Sequence, residues 1–277
     1  DENIFILDDF VIKFFHNKKI CYDRVLRSKS LNGLIPKLLD STENFYKYEY
    51  VVADLLSDTI NRTKFSKLLH WAKENLWISK EQENFYDNAL SFYKDKTLLR
   101  IEKFLDKHNL LDEVNYINGI EVPKIKDLIT QINFVNIVGK EPTGFHGDFI
   151  LDNILISESF TLIDWRQDFN GIIESGDMNY DLAKLNHNLI LNHDMLYHNY
   201  FEIDFSEGIK CDVHVKKSLI DCKSILKEFC EDNDVNFNSI EILTALIWIN
   251  MSPLHEHPLD MFLYYFGKYN LFLALSK

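Results

Sequence analysis

Residues 145–155, Phe145-His146-Gly147-Asp148-Phe149-Ile150-Leu151-Asp152-Asn153-Ile154-Leu155, and the segment Thr161-Leu162-Ile163-Asp164-Trp165 carry three oxygen-bearing side chains in a fixed order. Asp148 can accept a proton from a hydroxyl. Asn153 and Asp164 offer the hard oxygens that Mg²⁺ prefers. Between them, Asn153 to Ile156 and Thr161 to Asp164 are short β-prone runs flanking the polar Ser157-Glu158-Ser159, which predicts a β-hairpin. Asn153 and Asp164 are equidistant from the Glu158/Ser159 centre, so an in-register ribbon would set them opposite each other. Directly opposed residues have Cβ atoms about 4.5–5.5 Å apart, a separation one metal can bridge. Asp148, in the loop entering the first strand, would face the same metal-bound phosphate. A base, an amide oxygen and a second carboxylate in this order suit phosphoryl transfer.

These residues resemble the phosphotransferase superfamily that contains aminoglycoside phosphotransferases and choline/ethanolamine kinases. Its catalytic loop, His-x-Asp-x-x-x-x-Asn, appears as His146-Gly147-Asp148 through Asn153, and its metal-binding element as Ile163-Asp164-Trp165. A Gly-Asp-x-x-Tyr-Asp-Leu-Ala segment typical of bacterial members appears as Gly176 through Ala183. The resemblance implies an α+β, protein-kinase-like fold of two lobes: a small β-rich N-lobe over residues 1–53 and a mainly helical C-lobe over 54–277 with the catalytic loop and acceptor pocket. It implies Asp148 as the catalytic base or hydroxyl-orienting carboxylate and His146 as a brace of the loop. Asn153 and Asp164 would hold Mg²⁺ on the phosphates of ATP or GTP.

Composition sets outer limits. The chain has 277 residues, 46% of them hydrophobic, with 21 Phe and 13 Tyr, ample for a core. No apolar run reaches the roughly eighteen residues of a membrane span, and Phe10 to Phe15 is too short and too charged for a signal sequence. Cys21, Cys211, Cys222 and Cys230 show neither metal-ligand nor disulfide-scaffold spacing, which fits buried thiols in a reducing cytoplasm. A net charge of −13 argues against nucleic acid as a partner and is compatible with a cationic acceptor such as choline or an aminoglycoside.

Towards the N-terminus, Asn3 to Phe15 predicts a hairpin about Asp8-Asp9. Val11-Ile12-Lys13 on its second strand resembles the phosphate-contacting lysine strand of kinases, which makes Lys13 the candidate for the nucleotide phosphates. Ile20 to Leu31 predicts a helix whose only acid is Asp23, shorter than the acid that family members pair with the lysine. Leu34 to Leu39 and Phe45 to Val52 predict two further strands. By resemblance, backbone near Tyr50 and Val51 would bind the nucleotide base. No glycine precedes Gly33, so the phosphate-covering glycine-rich loop of the family is missing. Two expectations follow: an enzyme that covers the phosphates differently, or, favoured, a fragment of a longer protein, with that loop and the first strand upstream of residue 1 and room there for a further N-terminal domain.

Helical periodicity runs from Lys64 to His108, and again in 215–230, 239–250 and 259–275. Asp177 is the expected N-cap of a helix over 180–191, with Asp181 in its first turn, where the helix dipole favours a carboxylate. In the superfamily the acceptor pocket is built from late helices and loops, so Trp248, His255, Glu256, Tyr264 and Tyr265 are candidate lining residues, and an aromatic box would suit a quaternary ammonium. Asp168 is a further candidate for the acceptor or a second metal. The implied function is a small-molecule kinase that moves the γ-phosphate of ATP or GTP to a hydroxyl of a small acceptor. Choline, another amino alcohol, an aminoglycoside and a sugar all fit, with a leaning to cell-surface polysaccharide or lipid-headgroup metabolism. A catalytically silent nucleotide-binding regulator of the same fold is the alternative.

Overall fold

The computed structural model describes residues 2–277; Asp1 lies outside them. The predicted hairpin forms as β1 (Glu2–Ile6) and β2 (Phe10–Phe15), closed by the Leu7 N–H on the Phe10 carbonyl. Side chains along β2 alternate, so Val11, Lys13 and Phe15 share the inward face. That period is why a lysine in this strand is buried. Helix α1 (Lys18–Ser28) starts at Asn17, whose side chain accepts the Lys19 and Ile20 N–H groups. Strands β3 (Leu38–Ser41) and β4 (Phe45–Glu49) complete an antiparallel sheet in the order β1-β2-β4-β3.

Two predicted boundaries move. The strand expected over 34–39 begins only at Leu38, because Pro36 has no N–H to give a ladder. The Leu34 carbonyl instead accepts the Leu162 N–H. The next strand stops at Glu49, and the Tyr50 N–H goes to the Asp9 carbonyl.

Beyond β4 the chain forms β5 (Asp54–Leu55), α2 (Leu56–Thr59) and α3 (Arg62–Asn75). The helical pattern then resumes in α4 (Phe85–Leu90), which passes through a wide π-helical turn (Ser91–Asp95) into α5 (Lys96–His108). A small hairpin, β6 (Asn115–Ile117) and β7 (Ile120–Val122), precedes α6 (Ile125–Gln131) and α7 (Phe134–Ile137). The central ribbon is β8 (Ile154–Ile156) and β9 (Phe160–Leu162), with β5 against β8. Then follow α8 (Met178–Ile190), α9 (His193–Tyr197) and a second hairpin, β10 (Phe201–Asp204) with β11 (Lys210–Val213). Helices α10 (Lys217–Asp232), α11 (Phe237–Met251) and α12 (Leu259–Leu275) end the chain. The two small hairpins carry no signal that the sequence reading caught. The four cysteines are buried and unpaired, as expected. No helix among the described residues is long and apolar enough to cross a membrane.

Helix α11 is apolar nearly all round and buried at Ile240 and from Ile242 to Ile249, as a central core helix should be. It packs along α8 on one side and α12 on the other. Trp165 ties the small sheet to this helical body. Its ring, wholly buried, stacks on Tyr46 of β4 at 5.6 Å, and its Nε1 donates to the Arg24 carbonyl at 3.0 Å.

At Gly267 of α12 an added Cβ would sit 2.8 Å from Ile249 Cγ1 and 3.1 Å from the Ala245 carbonyl oxygen. Gly267→Ala should therefore destabilise by about 1–3 kcal/mol through overpacking, read from denaturant midpoints. A stabilisation of about 0.5–1 kcal/mol, the helix-propensity gain alone, would show that α11 and α12 are not in close contact there.

Candidate active site

The loop at His146 and Gly147 is held by a buried carboxylate on α8. Asp181 accepts the backbone N–H of His146 and of Gly147, both at 2.7 Å, and the Trp77 Nε1–H at 3.1 Å. Burial pushes its carboxyl up to about 6, against the pull of those donors. Asp177 caps the same helix as expected, accepting from Asn179 N, Gly139 N and the Tyr93 hydroxyl. Gly147 adopts φ +86°, and a Cβ there would lie 2.5 Å from Arg166 Cβ, so only glycine fits.

His146 is fully buried, and burial lowers its imidazole to about 4, so it is neutral at physiological pH. Its Nε2 lies 2.9 Å from the Ile163 carbonyl and its Nδ1 accepts the Asp148 N–H at 3.3 Å, which sets the tautomer as Nε2–H. The hydrogen bond to Ile163 ties the loop to the segment that carries Asp164. From the other side the buried Arg27 guanidinium of α1 donates to the Arg166 carbonyl at 2.8 Å and to the Phe145 carbonyl, and lies over the Phe145 ring.

Asp148 is 39% exposed, open to a ligand. One carboxylate oxygen meets Lys184 Nζ of α8 at 2.7 Å and the other accepts from Asn153 Nδ2 at 3.0 Å. Burial by itself would raise its pKa, but Lys184, His146 and Asn153 outweigh it and hold the carboxyl down at about 2. The carboxylate is therefore ionised throughout the neutral range.

The ribbon forms, but one residue out of the expected register. Ile154 pairs with Leu162 and Ile156 with Phe160, because the turn centres on Glu158, where the Ser157 N–H bonds the Ser159 carbonyl. Asn153 lies in a 3₁₀ turn and its carbonyl accepts the Ile163 N–H, so it faces Ile163 and not Asp164. A one-residue slip would turn a side chain to the other face. Asp164 compensates by leaving the strand at φ +59°, a conformation that a non-glycine residue keeps only where its surroundings impose it. Trp165 on one side and the Ile163–His146 bond on the other are those surroundings. So placed, the Asp164 carboxylate contacts Lys13 Nζ.

Lys13 is 1% exposed and burial lowers its ammonium to about 8. Its second carboxylate is Glu2 of β1 at 3.4 Å, and the Asp148 charge is felt there too. The helix acid is not its partner: Asp23 pairs with Lys19 of its own helix. From α1 Arg24 approaches instead, 3.3 Å from Glu2 and 3.9 Å from Asp164. The four residues form a charge cluster of two cations and two carboxylates. Glu2 and Arg24 were not singled out from the sequence, because the family pattern directs attention to an acid on the helix and not on the edge strand.

The donor set fits a hard divalent cation. The Asp164 carboxylate, met at Oδ1 by Lys13 Nζ, is 27% exposed, and Asn153 spends its amide N–H groups on the Asp148 carbonyl and carboxylate, leaving its oxygen for a ligand. No group of three or more His, Cys, Asp or Glu side chains forms a metal cage among the described residues. One carboxylate and one amide oxygen match a Mg²⁺ that takes its remaining ligands from phosphates and water.

Beside Lys184, the partner of Asp148, lies a cavity of about 220 Å³ between α5, α8 and α11. Lys96, Arg100, Arg166 and Lys184 line it, with Tyr180 and Asn250. None of Trp248, His255, Glu256, Tyr264 or Tyr265 does. Tyr264 stacks on Phe104 at 4.2 Å and Trp248 packs on Phe266, both in the core, while the exposed Glu256 pairs with Lys107. Their helical spacing reflects packing between helices. Asp168 also stays out of the cavity: its carboxylate accepts the Gly171 N–H and closes a turn. Tyr50 is 44% exposed with its N–H already bonded to Asp9, which leaves its carbonyl and the Val51 backbone for a base.

No protein-family model matches the chain, and no curated protein does. Solved structures do match. An ADP-bound aminoglycoside phosphotransferase, APH(2″)-Ib, superposes with a TM-score of 0.53 at 14% identity, over 99% of this chain and 92% of that one. A Plasmodium vivax ethanolamine kinase gives 0.53 at 14% identity, over 99% and 82%. A Thermobifida fusca protein assigned as a fructosamine-3-kinase gives 0.57 at 9% identity, over 100% and 93%. The chain has the α+β, protein-kinase-like fold of these small-molecule kinases, with a small β-rich lobe and a large helical one.

Lys184 is the group that keeps Asp148 ionised against burial. In Lys184→Gln the Asp148 carboxyl should titrate well above the native value of about 2, seen by carboxyl-carbon NMR. The native shift favours folding above the unfolded Asp pKa, and this contribution is lost as pH falls towards 2. Lys184→Gln should therefore lose stability at neutral pH and be less sensitive to acid. An unchanged Asp148 titration would remove Lys184 from this role.

Proposed function

We propose that this chain is a Mg²⁺-dependent kinase that transfers the γ-phosphate of ATP or GTP to the hydroxyl of a small alcohol. One observation carries this most: the ionised, half-buried Asp148 pairs with Lys184, which lines a separate cavity, and its charge is felt at Lys13 of the Lys13–Asp164 cluster, so a phosphate donor and an acceptor can meet at it. In phosphoryl transfer the protein mainly positions groups and offsets charge. Asp148 orients the acceptor hydroxyl and takes its proton. The hydroxyl oxygen bonds to the γ-phosphorus as the bond from phosphorus to the β,γ-bridging oxygen breaks, and the electron pair leaves on the nucleoside diphosphate. Lys13 neutralises the nucleotide phosphates, and Tyr50 carbonyl and Val51 backbone contact the base. Asn153 and Asp164 would hold Mg²⁺, which would supply positive charge to offset that of the phosphates. His146 and Asp181 keep the loop rigid, so that Asp148 stays in place for an in-line approach. The fold shared with aminoglycoside, ethanolamine and fructosamine kinases supports this reading.

A second reading, a silent nucleotide-binding regulator, is favoured by the contact of Asp164 with Lys13, which occupies the carboxylate intended for the metal. The absence of a helix acid paired with Lys13 points the same way. Substitutions separate the two. Asp148→Ala should lower kcat by about 10²–10⁴, the range for loss of a general base, while nucleotide affinity stays near native. Asp164→Ala should abolish the Mg²⁺ dependence of nucleotide binding, measured by calorimetry with and without the metal. Near-native turnover in Asp148→Ala would show the mechanism to be wrong. Mg²⁺-independent nucleotide binding with no transfer to any alcohol would establish the silent regulator.

A further inference from the structure

The cavity beside Asp148 has the wrong charge for the cationic acceptors to which the chain's net charge of −13 seemed suited. Lys96 and Arg100 stand one turn apart on α5, Tyr180 and Lys184 one turn apart on α8, and Arg166 follows the metal-binding segment. Residues four apart share a helix face, and like charges so placed repel. No Asp or Glu lines the cavity. Of the four cations only Lys184 has an ion-pair partner among the described residues, the Asp148 carboxylate. Arg166 gives its Nε–H to the Asp168 carbonyl at 2.9 Å and lies over the Phe92 ring, and Lys96 lies 4.2 Å from the same ring. Neither contact neutralises a charge. Burial, together with the neighbouring Arg166, Arg100 and Lys184 charges, holds Lys96 well below the ordinary lysine range, with Asp168 the acid that opposes this. Uncompensated like charges around one small space cost stability unless an anion enters.

Two features suit the cavity to a polyhydroxylated guest. Asn250 donates to Thr97 Oγ1 and to the Leu246 carbonyl, which leaves its Oδ1 buried without a partner and available to a ligand hydroxyl. The wide π-helical turn at Ser91–Asp95, just before Lys96, brings Phe92 and Tyr93 to the lining, and such turns often occur at functional sites. Lys13, Asn153 and Asp164 do not line this space, so it is distinct from the proposed nucleotide side.

We propose that the acceptor is an anionic alcohol, a small hydroxylated molecule bearing a phosphate or carboxylate, whose anion sits among Lys96, Arg100 and Arg166 while one hydroxyl reaches Asp148. This rests on the kinase function proposed above. Lys184 bridges the two: it holds Asp148 and lines the acceptor cavity. The product carries a second anionic group, so the substrate comes from a reaction that makes a sugar phosphate or sugar acid.

Calorimetry on the 277-residue chain with ADP and Mg²⁺ tests this, using sugar phosphates and sugar acids of three to seven carbons, d-glucose 6-phosphate and d-gluconate among them, with d-glucose, choline and ethanolamine as uncharged and cationic probes. At least one anionic alcohol should bind about tenfold or more tightly than the uncharged and cationic probes, and whether phosphate or carboxylate is preferred identifies the anion. The double substitution Lys96→Gln with Arg100→Gln should weaken that anion by about tenfold or more and leave ADP affinity near native, whereas Lys96→Arg should retain binding. Tighter binding of choline or ethanolamine, no binding by any anion, or an anion affinity unmoved by the double substitution would overturn the proposal. Transfer of labelled γ-phosphate is followed separately. Anion binding without transfer to any alcohol would leave the anion site standing and reject the kinase function. Transfer to choline or ethanolamine with none to the anions would do the opposite.

Discussion

Three N–H groups converge on the Asp181 carboxylate, which has no exposed surface, and the positions of the loop residues around Asp148 follow from that convergence. A buried carboxylate is tolerated only where donors satisfy it, and hydrogen bonds to a charged group are the stronger kind. The backbone at His146 and Gly147 is therefore pinned to helix α8, and α8 is itself packed on the core helix α11. Arg27 fixes the carbonyls of Phe145 and Arg166 from the small-lobe side. The loop is thus clamped by a carboxylate from one lobe and a guanidinium from the other, and Asp148 projects from it with both oxygens directed.

The charge pattern around the loop divides into two halves. On the small-lobe side Lys13, Arg24, Glu2 and Asp164 balance as two cations and two anions. On the helical side Lys96, Arg100, Arg166 and Lys184 line one cavity, and only Lys184 is paired to a carboxylate, Asp148. A balanced cluster can exchange its internal partners for nucleotide phosphates and a divalent cation. An unbalanced one gains stability from an incoming anion. The two halves meet at Asp148, whose charge is felt at Lys13 on one side and paired to Lys184 on the other.

The position of Glu2 shows how local chemistry can be supplied from a different element. A buried lysine needs an acid beside it, and here it comes from the neighbouring strand, paired across β1 and β2. Helix α1 turns Arg24 and Arg27 inward instead, one to the cluster and one to the loop. The helix faces the site, but with the opposite sign of charge.

Much of this was legible in the amino-acid order because it depends on local chemistry. The Val11-Ile12-Lys13 run marked a lysine strand by its resemblance to that of kinases, the Asp177 cap and the first-turn Asp181 marked the start of α8, and the His146 to Asn153 spacing marked a loop with a carboxylate and an amide. Local pattern could not fix the ribbon's register, because a turn centred on Glu158 and one centred between Glu158 and Ser159 suit the same residues; the left-handed turn at Asp164 is imposed by Trp165 stacking on a strand over a hundred residues away. Nor could it assemble the basic cavity, whose cations lie on α5, on α8 and after the ribbon, or separate lining aromatics from packed ones, since Tyr264 and Tyr180 carry the same helical spacing. Elements and the types of reacting groups are set by short-range sterics and hydrogen bonding. The partners of each charge are set by which distant elements pack together, and only the tertiary structure decides that.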